Sequence, residues 1–150
     1  MSMGEVRMVH LERKKEVFRE AYAEGFIKLR PETIRLIKEG RVKKGDVIAT
    51  AKVAAIMGVK KTWELIPLCH PIRITGVDVE IDLNENAVRV AVKVTTVDRT
   101  GVEMEALTGV SMALLTIWDM VKAYEKDEKG QYPHTRIYGI RVISKVKRNV

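Results

Sequence analysis

"RITGVDVEIDLNENAVRVAVKVTTV", residues 73–97, decides the fold. From Val77 to Leu83 apolar residues alternate with Asp78, Glu80 and Asp82, the period of a strand. "NEN" (residues 84–86) supplies a turn, and Ala87 to Val97 alternates again. The pattern predicts an antiparallel hairpin.

Working outward, Val17 to Leu29 ("VFREAYAEGFIKL") alternates in part and reads as a strand, although it also holds good helix formers. "RPETIRLIKEGRV" reads as a short helix, with Pro31 at its first position, Glu32 in its first turn and Gly40 at its end. Asp46 suits the N-cap of a further helix, on which Val47, Ala51, Ala54 and Ala55 form a face of small residues. Gly58 is expected to interrupt that helix before a second short piece ending at Pro67. Downstream of the hairpin come a long helix from about Val102 to Glu125, a loop, and a last strand in "TRIYGIRVISKVK". Strand, helix, strand, strand, helix, strand, with an extra helix before the hairpin, predicts an α+β, ferredoxin-like sandwich: an antiparallel sheet packed against helices. Residues 1–16 are polar and read as a flexible N-terminal segment, leaving 17–150 as a single domain.

Composition narrows the setting. The chain has 150 residues, enough to bury about 68–70% of its unfolded surface without staples. A single cysteine excludes an intramolecular disulfide and a Cys-rich zinc site, and fits a reducing, cytoplasmic compartment. No apolar run in the sequence reads as long enough to span a bilayer, so no membrane partner is expected. The net charge of +7 points to an anionic partner. Charged residues make up 31% while Asn and Gln total four, a balance that leans toward a thermophile.

The long helix is unusual for a small core. Leu107, Val110, Leu114, Ile117, Val121 and Tyr124 form a stripe for the sheet. Ala106, Gly109, Ala113, Thr116 and Met120 form a second, mostly small stripe that lets a backbone approach. A third stripe, Glu105, Thr108, Met112, Leu115, Asp119 and Lys122, is apolar in its middle and charged at its ends. With so little solvated surface, the helix is expected beside a second subunit. Asp119 and Lys122 are i, i+3 neighbours. They read either as an exposed ion pair of little energetic weight or as an acid/base pair at a pocket edge. Glu103 and Glu105 favour the helix dipole, or one of them accepts hydrogen bonds from a ligand; about 100° per residue keeps them from sharing one role. In the loop "IPLCHPI", Pro67 and Pro71 stiffen the backbone around Cys69 and His70. A free Cys is usually a small buried hydrophobe and a lone His usually structural, yet a stiff loop also mounts a ligand-contacting imidazole well. No P-loop, dinucleotide fingerprint or metal-ligand spacing is present.

"KGDVIATAKVAAIMGVKKTWELIPLCHPI" and "TGVEMEALTGVSMALLTIWDMVKA" resemble the molybdenum cofactor biosynthesis protein C family, cyclic pyranopterin monophosphate synthase. The resemblance runs from about Val17 to Lys145, and the blocks "LCHP", "GVEMEALT" and "DMVKA" carry it. It implies a ferredoxin-like protein assembled as a hexamer built from dimers, with active sites at the dimer interface. It implies a substrate, the 3′,8-cyclised dihydro derivative of GTP, converted to cyclic pyranopterin monophosphate with release of pyrophosphate. No cofactor and no metal are implied. By motif, Asp119 is the general acid/base and Lys122 its assistant. Leu68, Cys69 and His70 of "LCHP" and Glu103, Met104 and Glu105 of "GVEME" contact the substrate. Lys44, Arg19 and Lys145 match basic positions that hold the triphosphate. The chain departs from the family by ending in "VKRNV" where many members carry a Gly-Gly-Lys-Ser-Gly tail, by a longer "EKDEKGQYPHT" loop, and by His10 where many have an acid.

A basic ferredoxin-like domain also invites a nucleic-acid-binding reading. Only eight residues are aromatic, and neither hairpin strand carries the rings an RNA-binding sheet needs, so no nucleic acid is expected. A paralogue with a dead site is the third alternative; intact His70, Asp119 and Lys122 argue against it.

Overall fold

The hairpin forms as its alternation requires. In the computed structural model, which describes residues 3–150, β1 (Val17–Lys28), α1 (Pro31–Lys38), α2 (Val47–Leu65), β2 (Ile74–Leu83), β3 (Ala87–Asp98), α3 (Glu103–Glu125) and β4 (Arg136–Arg148) follow in order. Leu83 pairs with Val88, and Asn84 N–H donates to Ala87 O at 2.8 Å to close the turn. The sheet has the order β2-β3-β1-β4 and every pair is antiparallel. This is the ferredoxin-like arrangement, with α1 and α2 sharing the first crossover.

Pro31 opens α1, and Gly40 (φ +67°) ends it. Gly40 N–H donates to Ile37 O and Arg41 N–H to Leu36 O, which satisfies two end carbonyls in a Schellman turn. Asp46 caps α2 as its sequence position predicts, accepting from Ala49 N–H at 2.9 Å.

The expected break at Gly58 does not occur: α2 runs unbroken from Val47 to Leu65. The glycine serves contact instead. A Cβ at Gly58 would lie 2.8 Å from Met112 Cγ, and one at Gly109 would lie 3.1 Å from Ala55 O. These two glycines let α2 and α3 approach closely. The packing of buried Ala55, Val59 and Ala113 offsets the roughly 1 kcal/mol that a mid-helix glycine costs. The small stripe of α3 therefore meets α2, while Val110, Leu114, Ile117 and Val121 sink into the core with Ala21, Ala23, Ile27, Val90, Val92 and Val94.

Contrary to the reading that no stretch is apolar enough to span a bilayer, α3 passes that test by length and composition. Half of the stretch is packed inside the fold, which accounts for its apolar character as that of a core helix.

The carboxyl group of Glu125, 1% exposed, ties three elements together. It accepts from Arg30 N–H at 3.1 Å at the start of α1, from the Thr33 hydroxyl, and from the Thr135 hydroxyl at 2.6 Å just before β4. Arg30 offers α1 no side-chain cap, so Glu125 performs that task from 95 residues away. Glu125→Ala leaves the buried Thr33 and Thr135 hydroxyls and the part-buried Arg30 N–H without their acceptor. It is expected to lower stability by about 2–3 kcal/mol, read as a drop in the urea midpoint at unchanged slope.

The sheet face turned away from the helices carries a charged network and more rings than the hairpin alone suggests. Glu24, buried, accepts from Arg89 Nε at 2.9 Å and Arg141 Nε at 2.8 Å, and these guanidinium groups hold its carboxyl below the usual range. Phe26 stacks on Tyr138 with centroids 5.3 Å apart, Arg148 lies over Phe18, and Lys93 lies near Tyr22. The rings of this face therefore pack against one another or against basic side chains.

Candidate active site

The residues singled out from the sequence gather in two places, at opposite ends of α3. At its N-terminal end, Leu68, Cys69 and His70 face Glu103, Met104 and Glu105 across a hollow of about 170 Å³. Local backbone chemistry builds the loop wall. Ile66 N–H donates to Thr62 O as the C-cap of α2, and Cys69 N–H donates to Ile66 O at 3.1 Å. Farther on, Arg73 N–H donates to Asp98 Oδ2 at 3.2 Å and the Thr96 hydroxyl donates to Arg73 O. The loop thus spans two fixed points, the end of α2 and the end of β3, and its two prolines limit motion between them.

Glu103 and Glu105 differ as the helical turn requires. Glu103 points toward β4, its Oε2 lying 3.7 Å from Lys145 Nζ. Glu105, 4% exposed, turns inward. Burial, with the nearby Glu103 and Asp98 carboxylates adding to it, pushes its pKa up to about 7, and a backbone hydrogen bond only partly opposes this. Burial also pushes the Cys69 thiol up, and Glu105 adds to the rise. A thiol raised in this way stays protonated near neutrality, which makes Cys69 a wall and a poor nucleophile.

The raised Glu105 pKa has a consequence for stability. The folded state holds a proton that the unfolded chain, near 4.5, has released. Stability therefore falls as pH rises from about 4.5 to about 7 and levels off above that. Glu105→Gln removes the dependence. Melting curves of the variant and the parent are expected to coincide near pH 4.5 and to separate progressively toward pH 8, with the variant the more stable by about 2 kcal/mol. Parallel curves across that range would contradict the assignment.

Arg19, on β1, lies at this same end of the sheet. Its Nε donates to Asp98 O at 3.2 Å and its Nη2 to Arg99 O at 3.3 Å, so it braces the turn from β3 into α3. It pairs in register with Lys147 of β4, two residues from Lys145. Arg19, Lys145 and Lys147 thus set positive charge near the mouth of the hollow.

At the C-terminal end of α3, Asp119 sits between two lysines. Lys122 Nζ lies 3.1 Å from Oδ1 and Lys44 Nζ 3.3 Å from Oδ2, and Lys44 also donates to Asp119 O at 3.1 Å. The hydrogen bonds from Lys122 and Lys44 lower the Asp119 pKa, so its carboxylate stays ionised. In the single chain the Asp119 side chain is 60% exposed, open to solvent like an ordinary surface ion pair. Beside it, Leu115, Trp118, Tyr132 and Ile137 line an open hollow of about 440 Å³.

The two groups stand apart. Asp119 lies sixteen positions after Glu103 on one unbroken helix, about 24 Å along its axis at 1.5 Å per residue. One chain therefore brings Leu68, Cys69, His70, Glu103, Met104, Glu105, Lys145 and Arg19 to one end, and Lys44, Asp119 and Lys122 to the other. Sequence reading missed Val9, Ile72 and Thr100 in the first hollow and the Trp118–Tyr132 pair, at 5.2 Å, in the second. Trp118 was discoverable beside Asp119; Val9 and Tyr132 lie in segments with no periodicity to place them. No group of three or more potential metal ligands occurs among the described residues.

The MoaC family model matches residues 8–147. A protein of Pyrococcus furiosus named "Probable cyclic pyranopterin monophosphate synthase" is 60% identical over 95% of this chain and 91% of its own length. One of Thermococcus onnurineus with the same name is 62% identical over 95% of this chain and 91% of its own. One of Methanothermobacter thermautotrophicus, named "Probable cyclic pyranopterin monophosphate synthase accessory protein", is 60% identical over 95% and 89%. With the family match spanning nearly the whole chain and relatives this similar over nearly their full length, the chain belongs to the MoaC family.

Proposed function

We propose that this protein is a cyclic pyranopterin monophosphate synthase of molybdenum cofactor biosynthesis. It converts 3′,8-cyclo-7,8-dihydroguanosine 5′-triphosphate to cyclic pyranopterin monophosphate and releases pyrophosphate. The observation that carries the reading is the Lys44–Asp119–Lys122 triplet: the Asp119 carboxylate of "DMVKA" is held ionised between Lys122 of the same motif and Lys44 of "KGD".

The chemistry asks for proton transfer at the purine-derived ring and for closure of a cyclic phosphate. In the closure, a sugar hydroxyl oxygen attacks the α-phosphorus, a new O–P bond forms, and the bond to the pyrophosphate oxygen breaks. An ionised Asp119 accepts the hydroxyl proton. Lys44 and Lys122 supply positive charge where negative charge grows on the phosphate oxygens. The opposite end of α3 suits the heterocycle. Glu105, titrating near neutrality, can give or take a proton, and His70 and the Leu68 and Met104 side chains offer a polar group between apolar walls. Arg19 and Lys145 are placed to hold triphosphate oxygens.

Because the two groups lie about 24 Å apart on one helix, a whole site needs a second copy of the chain. Exposed apolar side chains support that assembly: Val53, Ile56 and Met57 on α2 and Leu115 on α3 stand on the surface of the single chain. A two-fold axis across the middle of α3 sets the Glu103 end of one copy against the Asp119 end of the other. We place the site at a dimer interface, within a hexamer of three dimers. Sedimentation should show a dimer or larger species at micromolar concentration.

The test is direct. The purified protein is incubated with the cyclised substrate, made in situ by a radical enzyme, while pyrophosphate is measured and the pterin is detected by fluorescence after oxidation. Both signals together are the expected result. Neither signal from a folded oligomer, beside an active control synthase, would overturn the proposal.

A further inference from the structure

Lys44 is carried by a loop, and what holds that loop comes from the last turn of α3. The segment from α1 to α2, anchored in the core by Val42, passes Asp119. Two hydrogen bonds bracket it, both made by Tyr124. At the start of the segment, Arg30 Nη1 donates to Tyr124 O at 3.0 Å. Past the end of α1, Lys43 N–H donates to the Tyr124 hydroxyl at 2.8 Å. The neighbouring Glu125 adds the bond from Arg30 N–H. One turn of α3 thereby pins both ends of the α1 excursion.

The second of these bonds sits one residue from Lys44. Gly45 N–H donates to Val42 O at 3.0 Å, and Gly45 takes φ +118°, which turns the chain sharply into the cap of α2. With Val42 buried and Lys43 N–H bound to Tyr124, the backbone of Lys44 is fixed on both sides, and its long side chain reaches Asp119. Tyr124 and Asp119 ride on the same rigid helix. The tyrosine hydroxyl thus sets the position of the loop relative to the carboxylate that the lysine serves.

We infer that Tyr124 is a positioning residue, whose hydroxyl holds the Lys43–Gly45 turn so that Lys44 stays on Asp119. This rests on the reading of Asp119 and Lys44 as part of the reacting site. Tyr124 itself has no role at the reacting atoms. Freed from Tyr124, Lys43 N–H is exposed enough to bond water, so the fold survives its loss; what changes is how often Lys44 occupies its place.

Tyr124→Phe removes only the hydroxyl. Four proteins are compared: the parent, Tyr124→Phe, Lys44→Ala and the double variant. Turnover in Tyr124→Phe is expected to fall about 10-fold with a near-parental melting temperature. In the double variant it should fall no further than in Lys44→Ala alone, since residues acting through one contact are not additive. A second readout needs no substrate: titration of Asp119 by NMR of carboxyl-labelled protein. Charged or titratable groups facing that carboxylate are Lys44 from the loop and Lys122 from its own helix, with Tyr132 lining the hollow beside it. Partial loss of Lys44 should move the Asp119 midpoint upward in Tyr124→Phe, in the direction seen in Lys44→Ala. Parental turnover with an unmoved Asp119 midpoint, or losses that simply add in the double variant, would overturn the inference. Full activity in Lys44→Ala would instead sink the reading of the site, and the Asp119 midpoint would still decide whether Tyr124 places the lysine.

Discussion

Asp119→Asn is expected to lower the rate of pyrophosphate release by about 10³-fold, within the span that removal of a positioned acid/base produces. Asparagine keeps the shape, but its single amide oxygen can accept from only one of the two lysines that now bond Oδ1 and Oδ2, and its NH2 turns a donor toward the other. It loses the charge and the capacity to take a proton. The variant therefore separates chemistry from architecture: a residue 60% exposed in the single chain, at the periphery of the core, contributes little to folding. Its melting temperature and oligomeric state should match the parent. Because the two lysines hold the Asp119 pKa below its ordinary value, the carboxylate is ionised throughout the neutral range. The parental rate should lose activity through this group only on the acid side, below the ordinary carboxylate range. Lys44→Ala and Lys122→Ala each remove one of these hydrogen bonds, and should each shift that acid limb upward. An Asp119→Asn protein turning over within a factor of ten of the parent would end the acid/base assignment.

Periodicity made the hairpin and α3 legible before any coordinates. Alternation through Val77–Leu83 and Ala87–Val97 leaves one solution, and the apolar stripe from Val110 to Val121 names the buried face of α3. Gly58 misled, because a glycine inside a helical pattern reads the same whether it breaks the helix or admits a neighbour; only the Met112 side chain across the gap distinguishes the two. The motifs name the candidate residues, whereas their separation into two groups left no mark in those motifs. Glu103 and Asp119 belong to one helix, and helix rise converts their spacing into a distance no single pocket spans. Bonds joining distant residues left no local trace. Nothing near Glu125 says that it caps α1, and nothing near Tyr124 says that it holds Lys43, since the partners are 95 and 81 residues away. The titration of Glu105 is likewise a property of enclosure, with walls supplied by Cys69, His70 and Val9 from elsewhere in the chain.

Mixing two inactive variants should restore activity, and the amount is fixed by counting. His70→Ala damages the end of α3 that holds Glu105; Asp119→Ala damages the end that holds Lys44 and Lys122. Each homogeneous protein is expected to be inactive, because each dimer then has two damaged sites. Co-expressed in equal amounts, the chains pair at random, and about half of the dimers are mixed. A mixed dimer has one site damaged twice and one site intact, built from the His70 of one chain and the Asp119 of the other. The preparation should therefore recover about a quarter of the parental rate per chain, independent of how many dimers a larger assembly holds. A site contained in one chain predicts a different result: every copy carries a lesion, and the mixture stays as inactive as its parts. Separately purified variants, mixed without subunit exchange, should also stay inactive, which ties recovery to pairing of chains. The distance along α3 thus becomes a rate. A recovery near one quarter is what a shared site demands, and a mixture without activity, shown by mass spectrometry to contain the mixed dimer, would place all the chemistry within a single subunit.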